Sequence, residues 1–124
     1  MWERDHAAQA AGVEIVEAAR GRARARLTVR ADMVNGHGIA HGGYLFLLAD
    51  TAFAYACNTE RPVTVARSCH IEFLAPAREG DVLEAEAVER MREGRSGICD
   101  VAVRRVQDGA LLAEFRGHSR ELRA

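Results

Sequence analysis

The chain has 124 residues and a mass of 13.6 kDa, with 48% hydrophobic and 28% charged residues. We expect a single domain over residues 1–124, with a core large enough to fold without disulfides or metal ions. The 17 basic and 18 acidic side chains leave a net charge of -1, so charge gives no reason to expect binding to nucleic acid.

Other counts exclude further kinds of site. All 17 basic residues are arginines, which rules out chemistry that needs a lysine Schiff base. The cysteines, Cys57, Cys69 and Cys99, form no CxxC pair, so we expect three core thiols. The longest apolar run, 44–57, is interrupted by Asp50 and is shorter than the ~20 residues that span a bilayer. With no signal segment at the N-terminus, we expect a cytoplasmic protein without a membrane partner.

The first predicted elements are a short helix within 2–11 and a β-prone run over 13–16. Residues 22–30 alternate arginine with alanine and other residues, which predicts a strand with one exposed and one buried face. Residues 32–43 hold four glycines and two histidines and predict an irregular segment. Residues 44–58 contain no helix breaker and are apolar on nearly every side, which predicts a buried helix.

Four strand-like stretches follow this helix, and the first is long enough to contain a bend. They cover residues 63–73, 82–91, 98–106 and 111–118. The Asp108-Gly109 pair before the last stretch is typical of a hairpin turn. A single buried helix among such strands predicts an α+β fold, in which one antiparallel sheet curls around the helix.

Asp50 stands out because it lies in the middle of the predicted apolar helix. Apart from two tyrosines and a cysteine, it is the only ionisable side chain between His41 and Glu60. Burying a carboxylate costs free energy unless the group is paired or hydrogen-bonded. Asp50 therefore either accepts a hydrogen bond from a neighbour such as Thr51, or carries a perturbed pKa that is used in catalysis. We favour the second interpretation.

The segment 35–43, with the sequence NGHGIAHGG, lies directly before the predicted helix. Glycines allow a ligand to approach the backbone, and the first amides of a helix are unsatisfied donors with partial positive charge. Such a helix start can bind a developing oxyanion, although an ordinary flexible loop is the alternative. His37 and His41 have a spacing that suits zinc on a helix, but the flanking glycines disfavour a helix and no third ligand is evident. We therefore predict no metal site.

Five short motifs carry a resemblance to the hotdog-fold acyl-CoA thioesterases, and in particular to the phenylacetic-acid-degradation type, the hydroxyphenylacetyl-CoA thioesterases. They are NGH at 35–37, HGG at 41–43, LADTAFA at 48–54, IEFLAP at 71–76 and GD at 80–81. The resemblance covers about residues 13–118. An acid eight residues after the first glycine of HGG is fairly specific to the hotdog-fold thioesterases. Asp in place of Glu, with Asn35 upstream, narrows the resemblance to the phenylacetic-acid-degradation type.

The resemblance implies the hotdog fold, an antiparallel sheet wrapped around one long central helix, with dimers that pair into tetramers. It implies hydrolysis of an acyl-CoA thioester without a metal or redox cofactor. By position, Asp50 matches the catalytic acid, and Gly42 matches the glycine whose amide polarises the thioester carbonyl. The residues expected to line the same site are Asn35, His41, Gly43 and Thr51.

The expected substrates are phenylacetyl-CoA or hydroxyphenylacetyl-CoA type thioesters, with Asp50 attacking the carbonyl or activating a water. The alternatives are a hotdog dehydratase or hydratase, which would place a histidine near the carboxylate on the helix, and a non-catalytic acyl-CoA binding module. Relatives often carry a basic residue where this chain has Ala75, so a contact to the CoA phosphates is either missing or made by another arginine, such as Arg78 or Arg95.

The spacing of Gly42 and Asp50 predicts a site shared between two chains. On one helix, eight residues span about 12 Å. A thioester carbonyl must lie about 3 Å from both its oxyanion donor and its attacking group. A two-fold-related copy would bring its own Asp50 opposite Gly42 of this chain. The alternative is a helix that begins later, so that Gly42 folds back toward Asp50 of the same chain.

Overall fold

The computed structural model describes residues 1–122, which form a six-stranded antiparallel sheet curled around a long helix. The strands are β1 (Glu14–Ala19), β2 (Arg22–Thr28), β3 (Thr64–Phe73), β4 (Val82–Glu93), β5 (Ser96–Arg105) and β6 (Leu111–Glu121). The helices are α1 (His6–Ala10) and α2 (Gly42–Asn58), with 3-10 turns at Trp2–Arg4 and Ala31–Met33. The spatial order β1-β2-β4-β5-β6-β3 leaves β1 and β3 as the two edges of the sheet.

The core lies between α2 and the concave face of the sheet, and α2 packs against all six strands. Large side chains from both layers are fully buried, among them Leu48 and Phe53 of α2 and Leu83, Val101 and Phe115 of the sheet. Burying such side chains is the main source of stability in a fold of this size. The predicted α+β architecture is confirmed.

The alternation predicted for 22–30 is present in β2. Ala23, Ala25 and Leu27 are buried, whereas the arginines between them point away from the core. The outward-facing Arg26 donates to the carboxylate of Glu84 on β4 at 2.8 Å. The arginine stripe is therefore the solvated face of the sheet, as the sequence predicted.

Two features of the strands add detail to the sequence prediction. The bend expected within 63–73 is a shift of register between Ala66 and Ser68, where β3 pairs with β6. β4 and β5 are joined by a two-residue hairpin, in which Gly94 has φ 59°, a conformation that glycine adopts without steric cost.

The helix predicted over 44–58 begins two residues earlier, at Gly42. Glycine weakens a helix interior, which favoured the later start in the sequence prediction. The helix nevertheless includes Gly42 and Gly43 as its first two residues, where the amides have no intrahelical partner. The structure therefore excludes the alternative in which Gly42 folds back toward Asp50 of the same chain.

One side of α2 is not covered by the sheet. We call this side the uncovered stripe, formed by Gly43, Leu47, Asp50 and Ala54, which are half-buried or exposed. Their spacing of three or four residues places them on one face of the helix. From Leu48 to Cys57 the other residues of α2 are buried, whereas Gly42, Tyr44 and Phe46 in its first turns are half-buried as well. The prediction of a helix buried on most sides is correct, and the stripe is the exception.

The three cysteines are free thiols. Cys57 and Cys99 are buried in the core as predicted, whereas Cys69 on β3 is only half-buried. Within residues 1–122, no helix is both long enough and apolar enough to cross a membrane.

Candidate active site

Asn35 organises the glycine-rich loop that precedes α2. Its side-chain Oδ1 accepts hydrogen bonds from the backbone N–H of His37 at 2.9 Å and of Ile39 at 3.4 Å. Its backbone N–H donates to the carbonyl of Ile39 at 2.8 Å. An asparagine that bonds to nearby amides in this way fixes a tight turn. The loop is therefore ordered by its own first residue, contrary to the flexible-loop alternative.

Two free backbone donors stand at the start of α2. His41 is the N-cap in an extended conformation, and its side chain makes no capping hydrogen bond. Its carbonyl accepts from the N–H of Tyr44 at 3.0 Å. The N–H groups of Gly42 and Gly43 make no hydrogen bond with any residue between 1 and 122. A helix start with unpaired amides binds negative charge, because the amides and the helix dipole both favour it.

These donors adjoin a cavity of about 540 Å³. Gly42 and Asn35 both line the cavity, which is otherwise mostly apolar. The remaining lining residues are Ile39, Ala40, Leu45, Phe73, Leu74, Ala75, Pro76 and Ala77. Because Oδ1 of Asn35 is already an acceptor within the loop, its NH₂ group is left as a polar donor in this wall. The cavity suits an uncharged organic group whose oxygen reaches the start of α2.

Phe73 is a site residue that the sequence analysis did not single out. Its ring lies against the backbone of Gly42, so that a Cβ at position 42 would be only 2.9 Å from Cζ of the ring. Phe73 is nevertheless 53% exposed. The only sequence signal was its place in the IEFLAP motif, which does not reveal that the end of β3 meets the start of α2.

Asp50 lies two turns further along α2, on the uncovered stripe, and does not line the cavity of its own chain. Its carboxylate makes no hydrogen bond or ion pair within residues 1–122. Burial raises the pKa of Asp50, and the negative charge of Asp5 raises it further. Without a compensating donor or cation, the carboxylate is destabilised in its charged form and is correspondingly reactive as a base or nucleophile.

The carboxylate of Asp50 lies near Cys69 on the edge strand β3. Burial raises the pKa of the Cys69 thiol, and the nearby Asp50 carboxylate raises it further. Phe73 and Cys69 are four strand residues apart, about 13 Å, which closely matches the ~12 Å between Gly42 and Asp50 along the helix. α2 and β3 therefore run side by side, with Gly42 beside Phe73 and Asp50 nearer to Cys69.

Thr51 is not the hydrogen-bond partner of Asp50. It is buried, and its hydroxyl donates to the backbone carbonyl of Leu47 at 2.7 Å. This bond removes the alternative in which Thr51 satisfies the carboxylate. Within one chain, the structure brings Asn35 and Gly42 together at the cavity, places His41 and Gly43 at its helix end, and leaves Asp50 and Thr51 apart from it.

The two histidines of the loop do not form a metal site with their neighbours. Neither His37 nor His41 lies within a helix, and residues 1–122 contain no cluster of three or more side chains able to hold a metal ion. Arg78 is exposed and follows directly after the cavity wall, which includes Ala75, while Arg95 is half-buried in the β4–β5 hairpin.

Comparisons with known proteins agree with this geometry. Residues 37–111 match the family model of the thioesterase superfamily. The chain is 43% identical over 122 residues to the acyl-coenzyme A thioesterase PaaI of Escherichia coli strain K12, covering 98% of this chain and 86% of that protein.

Solved structures extend the similarity to three dimensions. The E. coli PaaI protein from the phenylacetic acid degradation operon superposes with a TM-score of 0.96 at 43% identity, covering 100% of this chain and 89% of that one. A variant of the phenylacetic acid degradation protein PaaI from Thermus thermophilus superposes with a TM-score of 0.90 at 40% identity, covering 95% of this chain and 100% of that one.

The chain belongs to the thioesterase superfamily and is a thioester hydrolase with the hotdog fold. The resemblance stated from the sequence motifs is thereby confirmed, as is the expected enzyme class.

Proposed function

We propose that this protein hydrolyses arylacetyl-CoA thioesters, of the phenylacetyl-CoA or hydroxyphenylacetyl-CoA type, to the free acid and CoA. The observation that carries this proposal is the combination of free amides at the start of α2 with the unpartnered carboxylate of Asp50. The name of the E. coli relative as an acyl-coenzyme A thioesterase, and its origin in a phenylacetic acid degradation operon, support the substrate class. Because CoA thioesters are intracellular metabolites, we place the reaction in the cytoplasm.

We further propose that each site is built by two copies of the chain. Gly42 and Asp50 are about 12 Å apart along one unbroken helix, too far to act on one carbonyl. In a two-fold dimer the two α2 helices run antiparallel, so that Gly42 of one copy lies opposite Asp50 of the other. The uncovered stripe and the edge strand β3 form a continuous surface for such contact.

In this site the thioester carbonyl oxygen accepts a hydrogen bond from the N–H of Gly42, and the N–H of Gly43 is available as a second donor. The positive end of α2 then stabilises the negative charge that develops on this oxygen. The Asp50 carboxylate of the other copy either attacks the carbonyl carbon or removes a proton from an attacking water. Both routes break the carbon–sulfur bond, consume one water and release a carboxylic acid and the CoA thiol.

The other predicted residues support this arrangement. Asn35 fixes the loop and presents its NH₂ group to the cavity, and His41 caps α2 beside the two glycine donors. Thr51 holds its own turn of α2 through Leu47 and thereby positions the neighbouring Asp50. Arg78 is the nearest candidate for the CoA phosphates, since it is exposed just beyond the cavity wall.

The direct test is release of free thiol from a panel of arylacetyl and straight-chain acyl-CoAs, assayed under matched conditions. We expect turnover with the arylacetyl thioesters and loss of that turnover in Asp50→Asn. Binding of acyl-CoA without release of thiol would indicate a binding module instead. Addition of water to an enoyl-CoA, with the thioester intact, would indicate a hydratase.

The oligomeric state is tested separately by light scattering on the purified protein. We expect a species of two or four times 13.6 kDa, since dimers are proposed to pair into tetramers. A monomer that retains full turnover would contradict the shared site.

A further inference from the structure

The end of strand β3 places an aromatic ring directly on the proposed oxyanion donor. Side chains two residues apart on a strand share a face, so Phe73 lies on the same face as Ile71 and Cys69. Those two pack against the core, whereas Phe73 extends past it to the first turn of α2. Three atoms of its ring would lie 2.9–3.4 Å from a Cβ at Gly42.

This contact determines what a bound thioester meets. In Gly42, the backbone nitrogen and the position that a Cβ would occupy are both attached to the same Cα. A carbonyl oxygen about 3 Å from that N–H therefore brings the adjoining carbon atoms within contact range of the Phe73 ring. Phe73 is the last residue of β3, and its ring is 53% exposed in the single chain.

The surroundings of the ring favour an uncharged, apolar acyl group. Among residues 1–122, no charged side chain lines the cavity, and beside Phe73 its wall is formed by Ile39, Leu45, Leu74 and Pro76. Phe73 is the only aromatic ring in this wall, within the described part of the chain. Two aromatic rings attract each other more than area burial alone accounts for, through offset-stacked or edge-to-face packing.

We propose that Phe73 determines acyl-group specificity, by packing its ring against the aryl group of the substrate while the thioester oxygen is bound at Gly42. This inference rests on the proposed thioesterase site. It predicts that removing the ring reduces preference for arylacetyl over aliphatic thioesters, rather than reducing turnover of both equally.

The test compares kcat/KM for phenylacetyl-CoA and butyryl-CoA in the wild type, Phe73→Leu and Phe73→Tyr. Leucine keeps an apolar, γ-branched side chain but removes the ring, and tyrosine keeps the ring. We expect Phe73→Leu to lower the phenylacetyl-to-butyryl ratio by about 2- to 12-fold, the range for an aromatic pair. Phe73→Tyr should keep the ratio within about 2-fold of wild type.

The possible results distinguish a failure of the role of Phe73 from a failure of the proposed thioesterase function. An unchanged ratio in an active Phe73→Leu variant, or an equal loss on both substrates, would overturn the role of Phe73 and leave the thioesterase site intact. A ratio lowered as strongly by Phe73→Tyr would also overturn it, because the ring would not be the cause. If the wild type released thiol from neither substrate, the proposed function would fail first, and this inference with it.

Discussion

Gly42 and Asp50 lie on one uninterrupted helix, α2, which begins at Gly42 itself. Their separation of eight positions places the two backbone positions about 12 Å apart along the helix axis. Gly42 opens into a cavity of about 540 Å³, and Asp50 lies outside that cavity on the uncovered stripe. The proposed oxyanion donor and the proposed reactive carboxylate of one chain therefore lie about two helical turns apart.

Replacing Asp50 with asparagine should reduce turnover by about 10²- to 10⁴-fold, the range for removal of a general base. The fold should persist, because burial raises the pKa of Asp50 and therefore disfavours its charged form. For a carboxyl group with a raised pKa, stability is lost as pH rises through the folded-state value, so the neutral asparagine should raise Tm at pH 7.

Steady-state kinetics and thermal unfolding of the same sample check both parts. Glu114→Gln is a matched control, since Glu114 is an exposed carboxylate on the outward face of β6, between the buried Ala113 and Phe115. Near-normal turnover in a folded Asp50→Asn variant would show that another group performs the chemistry.

The backbone N–H of Gly42 can be tested with a pair of substitutions. Gly42→Pro removes the N–H at the first position of the helix, where proline is tolerated, and His41 already has ψ 133°, which suits a residue before proline. Gly42→Ala keeps the N–H and adds a Cβ 2.9 Å from Cζ of Phe73, so the ring must shift, and proline adds the same Cβ. Proline should therefore cost about 2.7–4 kcal/mol of transition-state stabilisation relative to alanine.

The measurement is kcat/KM for both variants, on protein shown to bind a non-hydrolysable acyl-CoA analogue. Equal activity of the two variants would transfer the donor role from Gly42 to another amide, with Gly43 the first candidate.

The pH dependence should report the raised pKa of Asp50. The reaction needs the ionised carboxylate, so kcat/KM should fall as pH decreases through a midpoint above 3.8, the ordinary value for aspartate. Asp5→Asn should move this midpoint to lower pH, because it removes a negative charge that raises the pKa of Asp50. Asparagine can still cap α1 through the bond that Asp5 makes to the N–H of Ala8, so the helix is kept. If kcat/KM fell at the same pH in the wild type and in Asp5→Asn, the assignment of this midpoint to Asp50 would be wrong.

A buried ion pair beyond the C-terminal end of α2 should matter for stability. The carboxylate of Glu89, only 7% exposed, accepts hydrogen bonds from Arg61 and Arg92. Glu89→Ala would leave both guanidinium groups without this partner and should lower the free energy of unfolding by about 3–5 kcal/mol. Glu84→Ala is the control, because Glu84 pairs with Arg26 on the outer face of the sheet and should cost less than about 1 kcal/mol. Both variants are measured by urea unfolding. An equal loss of unfolding free energy in Glu89→Ala and Glu84→Ala would contradict the prediction that the buried pair contributes more.

The elements of the fold were predictable from the sequence where local patterns decide structure. The alternation of 22–30 and the apolar stretch that contains Asp50 were sufficient to predict β2 and the core of α2. The start of α2 was predicted two residues late. The low helix propensity of Gly42 and Gly43 favoured a later start, whereas the structure includes both glycines in the first turn.

The candidate site was only partly predictable. Asp50 and the glycine-rich start of α2 could be selected because a charge in an apolar helix and a run of glycines before it are local features. Gly42 and Asn35 were assigned through the resemblance of the motifs to a known family. The contact of Phe73 with Gly42 joins residues 31 positions apart through the path of the sheet. No local pattern in the sequence contains that information.

The most direct measurement of the shared site is co-expression of two inactive variants, Asp50→Asn and Gly42→Pro. In a mixed dimer, one site receives both intact groups and the other receives neither. Random pairing makes about half of the dimers mixed, so thiol release should return to about a quarter of the wild-type activity per site. If two-tag purification shows that mixed dimers form and no activity returns, then Gly42 and Asp50 do not act together across two chains, and the account of the site is wrong.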